Sequence, residues 1–394
     1  MSTSERAQPL AGFRIVDLTT NMSGPLATMV LADQGADVIK VEPLSGDVIR
    51  SVGTGAAGMS AYFANVNRAK RSIAIDLSRD DGRDLVLRLS ASADVFTQNF
   101  RPGVVERLGL GPDVVMKTNP ALVYASISGF GTEGPLAAAP AYDHVVQALT
   151  GFAALQSEGT SEAAMVRHGV IDKATAYSTA QAITAALLAR TRTGVGARID
   201  VSMLDVALAF LWPDGMMNHT CIEPDEVLPP VHRSFKLTPT ADGHVSLVTL
   251  TSAQWKNLVD ALADPDEAGD LSDTAARMSG GAAIMRAVRA KVSTMTTADV
   301  VRRLADADVP CAPVLQLDEL WQHEQIAAVG AIREFDHVVL GPIRQPRPAP
   351  RFDGEDQPTA AWAPTLGQHT DDILEAAGLS STEIKELRAD GVIG

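Results

Sequence analysis

The sequence predicts an α/β protein, with a doubly wound parallel sheet followed by a smaller α+β domain. Three observations lead there. Up to about residue 215, short apolar runs alternate with helix-like patterns, as in βαβ units. After Pro213 the texture changes to an irregular, proline-marked stretch and then a hairpin with helices. At 394 residues the chain also exceeds one ordinary core, and about 150 residues per domain suggests two or three.

The elements follow in order. Phe13–Leu18 reads as a buried strand, Pro25 opens a helix to Asp33 that Gly35 ends, and Val38–Val41 is the next strand. Such a βαβ unit implies parallel pairing with a right-handed crossover. Strands are then expected at Ser72–Leu77, Asp94–Gln98, Leu122–Ser128 and Arg198–Val201. Helices are expected at Asp80–Ser92, Pro112–Thr118, Asp143–Phe152, Lys173–Arg190 and Asp205–Leu211. Beyond Pro230, Phe235–Leu237 and His244–Thr249 flank a turn at Ala241-Asp242-Gly243. Helical patterns follow at Ser252–Ala263, Ala283–Val292, Thr297–Ala305 and from Asp318, with an apolar run at Cys311–Leu315. Six prolines between Gly341 and Pro364 read as an extended connection. Ser380 to Glu383 is a capping box for a last helix reaching Arg388.

Composition narrows the function. Hydrophobic residues make up 46% and charged residues 21%, as in a globular protein. The net charge of −15 repels phosphate backbones and anionic lipid, so neither nucleic acid nor a membrane is an expected partner. The most apolar stretches, Ala182–Ala189 and Val206–Trp212, fall far short of the roughly 20 residues that span a bilayer. The first residues contain no apolar signal region, and Cys221 and Cys311 form neither a CxxC motif nor a disulfide framework. Those features point to a cytoplasmic protein.

Few motifs carry chemistry. Gly129-Phe-Gly131-Thr-Glu-Gly134 matches GxGxxG after a strand, but Pro135 and Pro140 bracket the next four residues, so it reads as a glycine loop and not a dinucleotide site. None of the eight histidines has metal-ligand spacing with another His or Cys, so no metal site is expected. No serine sits on a nucleophile elbow. Asp172, in Gly169-Val-Ile-Asp172, precedes a long Ala-rich helix. It reads as an N-cap, kept ionised by the helix dipole, or as a carboxylate nucleophile toward an acyl carbon.

Several segments taken together resemble the class III CoA-transferases, typified by formyl-CoA transferase and also called the carnitine dehydratase/bile-acid-inducible family. They are Gly24-Pro25 with residues 31–43, Asn67 to Ser72, Gln98 to Gly103 and Ser128 to Gly131. Further on they are Ala141 to Asp143, Gly169 to Asp172, Pro239 to Gly243, Val309 to Val314 and Leu366 to Asp371. Each is weak alone, but in order they span nearly the whole chain.

The resemblance implies a Rossmann-like large domain and a small domain, in two ring-shaped chains that interlock as an obligate homodimer. It divides the chain into residues 1–212, a linker at 213–233, the small domain at 234–330, a returning linker at 331–364 and a C-terminal part, 365–394, packing on the large domain. Asp172 takes the place of the family's nucleophile, which passes through an aspartyl-CoA intermediate while moving CoA from an acyl-CoA to a carboxylic acid. No tightly bound cofactor is implied, because coenzyme A is a substrate. The family's CoA contacts fall on Met22, Ile75, Asp76, Leu77, Ser78, Asn99, Phe100, Arg101, Arg107, Ala139, Pro140, Ala141, Tyr142 and Asp143.

The chain also departs from formyl-CoA transferase. Met22 replaces a glutamine, Pro43 and Pro140 replace basic residues, and no tetraglycine loop lies between Pro213 and Phe235. Two rival readings remain. The α-methylacyl-CoA racemase branch places a catalytic His where this chain has Tyr142, and helical spacing would turn His144 to the far side. The other rival is a non-catalytic CoA-binding protein.

Overall fold

In the computed structural model the described residues are 8–157, 162–262, 284–354 and 362–394. The first residues, Ala263 and Ala283 of two expected helices, and part of the 331–364 connection lie outside them. The chain divides into two compact units. One comprises the residues up to Pro213 together with those from Gly330 on, and the other runs from Asp214 to Val329.

The larger unit is built on six strands: β1 (Arg14–Asp17), β2 (Asp37–Glu42), β3 (Lys70–Ala74), β4 (Val95–Gln98), β5 (Val123–Ser128) and β6 (Arg198–Ser202). All pairs are parallel and the spatial order is β3-β2-β1-β4-β5-β6. Helices cover both faces, so consecutive residues of the inner strands are buried, the charged Asp17, Lys40 and Glu42 among them. Ile15, Val38, Val95 and Val123 share one core with Leu31 of the helix Ser23–Asp33 and with Ile183 and Leu187 of the long helix Val170–Thr193. Val16, Ile39, Phe96 and Tyr124 pack the opposite face, where Leu85, Val86 and Leu89 of the helix Asp80–Ala91 meet them. Phe96 and Tyr124 stack with ring centroids 4.9 Å apart.

The far end of the chain completes this second core. Ile373, Leu374, Ile384, Val392 and Ile393 all belong to it. Ile393 bridges antiparallel to Ile75, the Asp76 amide donates to the Val392 carbonyl, and the Gly394 amide donates to the Ala74 carbonyl. These bonds cover the open edge beyond β3, an edge that would otherwise invite pairing with another chain.

Several elements differ from the sequence expectations. β3 lies at Lys70–Ala74 and not Ser72–Leu77: the Ile75 amide still bonds to the Glu42 carbonyl at the end of β2, but the Asp76 amide turns to the Val392 carbonyl. The helix expected over Asp143–Phe152 breaks into Asp143–Leu149 and Phe152–Gln156, since Gly151 takes φ 90°. Much of the expected extended connection after Gly341 is one arm of an antiparallel hairpin, Ile332–His337 with Gly341–Pro346. A helix at Ala61–Asn67, capped by the Ser60 hydroxyl on the Phe63 amide at 2.9 Å, was not anticipated.

The smaller unit has a three-stranded antiparallel sheet formed by Thr238–Pro239, His244–Leu247 and Cys311–Pro313. The hairpin pairs three residues further along than Phe235–Leu237 because the turn is closed locally, with the Thr240 amide bonded to the Gly243 carbonyl. Helices Ser252–Leu262, 284–292 and Thr297–Asp306 close a core around Val245, Leu258, Val288 and Leu304. Among the described residues no helix is long and apolar enough to cross a membrane.

Ile393 is 2% exposed inside the second core. Ile393→Ala should therefore cost about 2–5 kcal/mol of stability, read as a lower denaturation midpoint in urea with little change in slope.

Candidate active site

The strand order reverses between β1 and β4, so their following loops part and leave a crevice at the C-terminal ends of the strands. An open cleft of about 820 Å³ occupies that place. Thr20 and Ser23 from the loop after β1, Asn99 and Arg101 from the loop after β4, Tyr142 and Asp172 line it. The Asn99 side chain ties the two loops together, accepting the Thr20 amide at 2.9 Å and donating to the Thr20 carbonyl at 2.8 Å.

Asp172 does not cap its helix. The helix starts at Val170 with Gly169 as N-cap, which puts Asp172 in the first turn. The capping carboxylate comes from another helix: Asp143 Oδ2 accepts the amides of Ile171 at 2.7 Å and Asp172 at 2.9 Å. Asp143 Oδ1 accepts from Gln147 Nε2 at 2.5 Å, and Gln147 Oε1 in turn accepts the Val166 amide at 3.0 Å. With Asp143 satisfying those amides, the Asp172 carboxylate is left to face the cleft.

Its environment sets its proton affinity. Burial pushes the Asp172 carboxyl up to about 6, and the Asp143 charge adds to the rise. The Ser23 hydroxyl, which lines the same cleft, and the charges of His144 and Lys173 pull the other way. The helix dipole alone would have kept Asp172 well below that value, but desolvation and a like charge outweigh it. Tyr62 is pushed up to about 12 by burial and by the charges of Asp172, Asp47 and Asp143, so its phenol stays protonated as a donor.

Glycines allow the close approaches. A Cβ on Gly169 would lie 3.0 Å from Met22 Sδ and 3.5 Å from Asp172 Oδ2, so thioether and carboxylate both lean on that bare backbone. Gly129, the first glycine of the GxGxxG match, lets Ala141 press against the end of β5: an added Cβ there would sit 2.1 Å from the Ala141 Cβ. No helix opens until Asp143, so the segment is a loop.

The structure gathers only part of the expected residue set. Asn99, Phe100, Arg101, Ala139, Ala141 and Tyr142 line the cleft with Asp172. Met22 stands beside Asp172 but lines an adjoining apolar groove. Pro140 is exposed on the loop, and Arg107 is exposed next to the Gly103 turn, where an added Cβ would come 3.3 Å from its guanidinium. Asp143 is only 4% exposed and is engaged in capping. Ile75 is fully buried, Leu77 packs on the second core, and Asp76 accepts both the amide and the hydroxyl of Ser78. These three and Ser78 form the turn beyond β3, apart from the cleft lining. His144, expected on the far side of its helix, is exposed and absent from the cleft lining, and only its charge bears on Asp172. Among the described residues no group of three or more His, Cys, Asp or Glu is placed to hold a metal. Ser23 and Tyr62 were missed. Their only signals were a serine opening the helix after β1 and a lone tyrosine in an Ala-rich segment.

Known proteins place the chain in a family. A model described as CoA-transferase family III matches residues 10–370. A mouse succinyl-CoA:glutarate CoA-transferase is 32% identical over 407 residues, covering 100% of this chain and 92% of its own. An acetyl-CoA:oxalate CoA-transferase from Acetobacter aceti is 34% identical over 359 residues, covering 89% and 90%. The crystal structure of a CaiB/BaiF family protein from Brucella suis superposes with a TM-score of 0.81 at 30% identity, covering 94% of this chain and 99% of that one. The chain belongs to CoA-transferase family III.

Proposed function

We propose that the protein moves CoA from an acyl-CoA thioester to a carboxylic acid through covalent chemistry on Asp172. One observation carries the reading: a half-buried carboxylate, relieved of capping by Asp143, lies at the switch-point cleft with its proton affinity raised to about 6. Such a group is desolvated enough to be nucleophilic and still mostly ionised at pH 7.

Asp172 attacks the thioester carbonyl, forming a mixed anhydride and expelling CoA thiolate. The thiolate attacks the aspartyl carbonyl, giving an aspartyl-CoA thioester and releasing the donor acid as its carboxylate. An acceptor carboxylate attacks that thioester, and the returning thiolate takes the acceptor acyl group, which restores the Asp172 carboxylate. Each addition creates an oxyanion that must be met by fixed donors, and the cleft holds the reactants at short range. Arg101, exposed at the cleft, suits a phosphoryl group of CoA. Tyr142 in place of a histidine favours transfer over racemisation.

The working form is proposed to be an interlocked homodimer. An apolar groove of about 2170 Å³ runs along Met22, Leu26, Met29, Tyr177 and Leu188. Tyr177 and Leu188 are 57% and 61% exposed, and Phe210 and Trp212 add further uncovered apolar surface. Patches of that kind on a single chain mark association sites.

Five outcomes test these statements. Incubation with an acyl-CoA mixture should leave a CoA adduct on Asp172, cleaved by hydroxylamine and absent from Asp172→Asn in mass spectra. No adduct, but deuterium entering the position α to the thioester from heavy water, would replace the proposal with racemase chemistry. Transfer rate should fall tenfold per pH unit below about 6, as Asp172 is protonated. Asp143→Asn removes the like charge and should move that limb to lower pH. Arg101→Ala should weaken CoA binding by about 1.5–3 kcal/mol in calorimetry. Light scattering should give roughly twice the 41.5 kDa of one chain, and a folded monomer would exclude the dimer.

A further inference from the structure

Two buried lysines meet beneath the loop that joins β1 to the helix Ser23–Asp33. Lys40, on β2, donates to the Thr19 carbonyl at 2.9 Å and to Asp47 Oδ2 at 3.0 Å. Lys70, on β3, donates to the Pro25 carbonyl at 2.8 Å, to Asn67 Oδ1 at 2.8 Å and to Asp17 Oδ2 at 3.0 Å. Neither ammonium is exposed, and each has its own carboxylate partner. Each also takes one main-chain carbonyl, and the two carbonyls stand at opposite ends of the stretch 19–25.

Inside that stretch Asp47 Oδ1 accepts the Asn21 amide at 3.3 Å. Asn21 has φ 65°, a left-handed backbone that asparagine adopts more readily than most residues with a Cβ. The next two residues stand at the Asp172 end of the cleft: Met22 meets Asp172 at Gly169, and Ser23 lines the cleft with it, its hydroxyl favouring the charged carboxylate. Neither lysine lines the cleft. Stability alone does not explain two desolvated ion pairs, because apolar side chains of the same volume stabilise as well or better.

We propose that Lys40 and Asp47 are positioning residues for Asp172: they hold the Thr19 carbonyl and the Asn21 amide, and so keep the Ser23 hydroxyl against the reacting carboxylate. Lys70 secures the far end of the same stretch. This rests on Asp172 being the reacting group, so the test reads the titration of Asp172 itself and needs no substrate.

The charged and titratable groups facing Asp172 are Asp143 and His144 from the helix Asp143–Leu149, Lys173 from its own helix and Tyr62 from Ala61–Asn67. All are retained in the variants below. A hydroxyl donating to the carboxylate stabilises its charged form, so losing it must raise the protonation midpoint.

The experiment is carbon NMR of the full chain labelled at aspartate carboxyls, with the Asp172 resonance identified by its loss in Asp172→Asn. Ser23→Ala should raise the midpoint by about half to one pH unit. Asp47→Asn is the discriminating variant. Lys40 and the Asn21 amide donate to opposite oxygens of Asp47, and one of these becomes a donor-only nitrogen in the amide, so positioning predicts a rise of similar size, whereas simple removal of a negative charge predicts a fall. Lys40→Met should also raise the midpoint, but add nothing further in the Ser23→Ala background. A fall or no change in folded Asp47→Asn, no change in Ser23→Ala, or a Lys40→Met rise undiminished in the double variant would overturn the proposal. If Lys40→Met does not fold, Asp47→Asn decides alone. The expected shifts without any CoA adduct would instead remove the transferase reading and leave the positioning role standing.

Discussion

A parallel sheet that is wound outward from its middle has a place where two neighbouring loops must diverge, and here that place is between β1 and β4. Apart from Ile127 and Ser128 at the end of β5, what lines the gap comes from loops and helix ends. Asn99 bridges the two loops across it, and the charged side chains of β2 and β3 underpin one of them from below. The site is therefore a property of the winding, and its chemistry belongs to the residues the loops carry.

Two aspartates near the cleft show how position separates roles within one residue type. Asp143 is buried with its oxygens engaged by main-chain amides and a glutamine side chain. Asp172, a few ångströms from the same amides, has one hydroxyl and an open side. The capping carboxylate is thus spent on structure, and its fixed charge adds to the proton affinity of the other. Such divergence of paired carboxyls is a recurring way to obtain distinct functions at neutral pH.

The sheet was legible in the residues because burial on both faces leaves adjacent apolar residues at the strand centres, as in Ile15-Val16 and Val123 to Ala125. The capping box at Ser380 and Glu383 was legible for the opposite reason, since its partners are three residues apart. What stayed hidden depends on distant partners. The cap on the long helix joins Asp143 to residues 171 and 172, and no local spacing announces that bond. Pro342 and Pro346 read as breakers, yet each sits in a two-stranded ladder opposite Asp336 and Ile332, where an outward-facing nitrogen loses no bond. Within the site, Asp172 stood out through its segment and through family resemblance, whereas Ser23 acquires meaning only when its loop is folded against that helix.

The core beneath β3 is closed by Val392 and Ile393, hundreds of residues after the strand they cover. On a ribosome adding roughly 5–20 residues per second, the edge at Ile75 would wait about 15–60 s for its partner. During that interval the nascent large unit has a sheet with one uncovered side, and the intervening unit, residues 214–329, has already been synthesised. Until residues 392 to 394 have been made, that edge stays open to pairing with another chain.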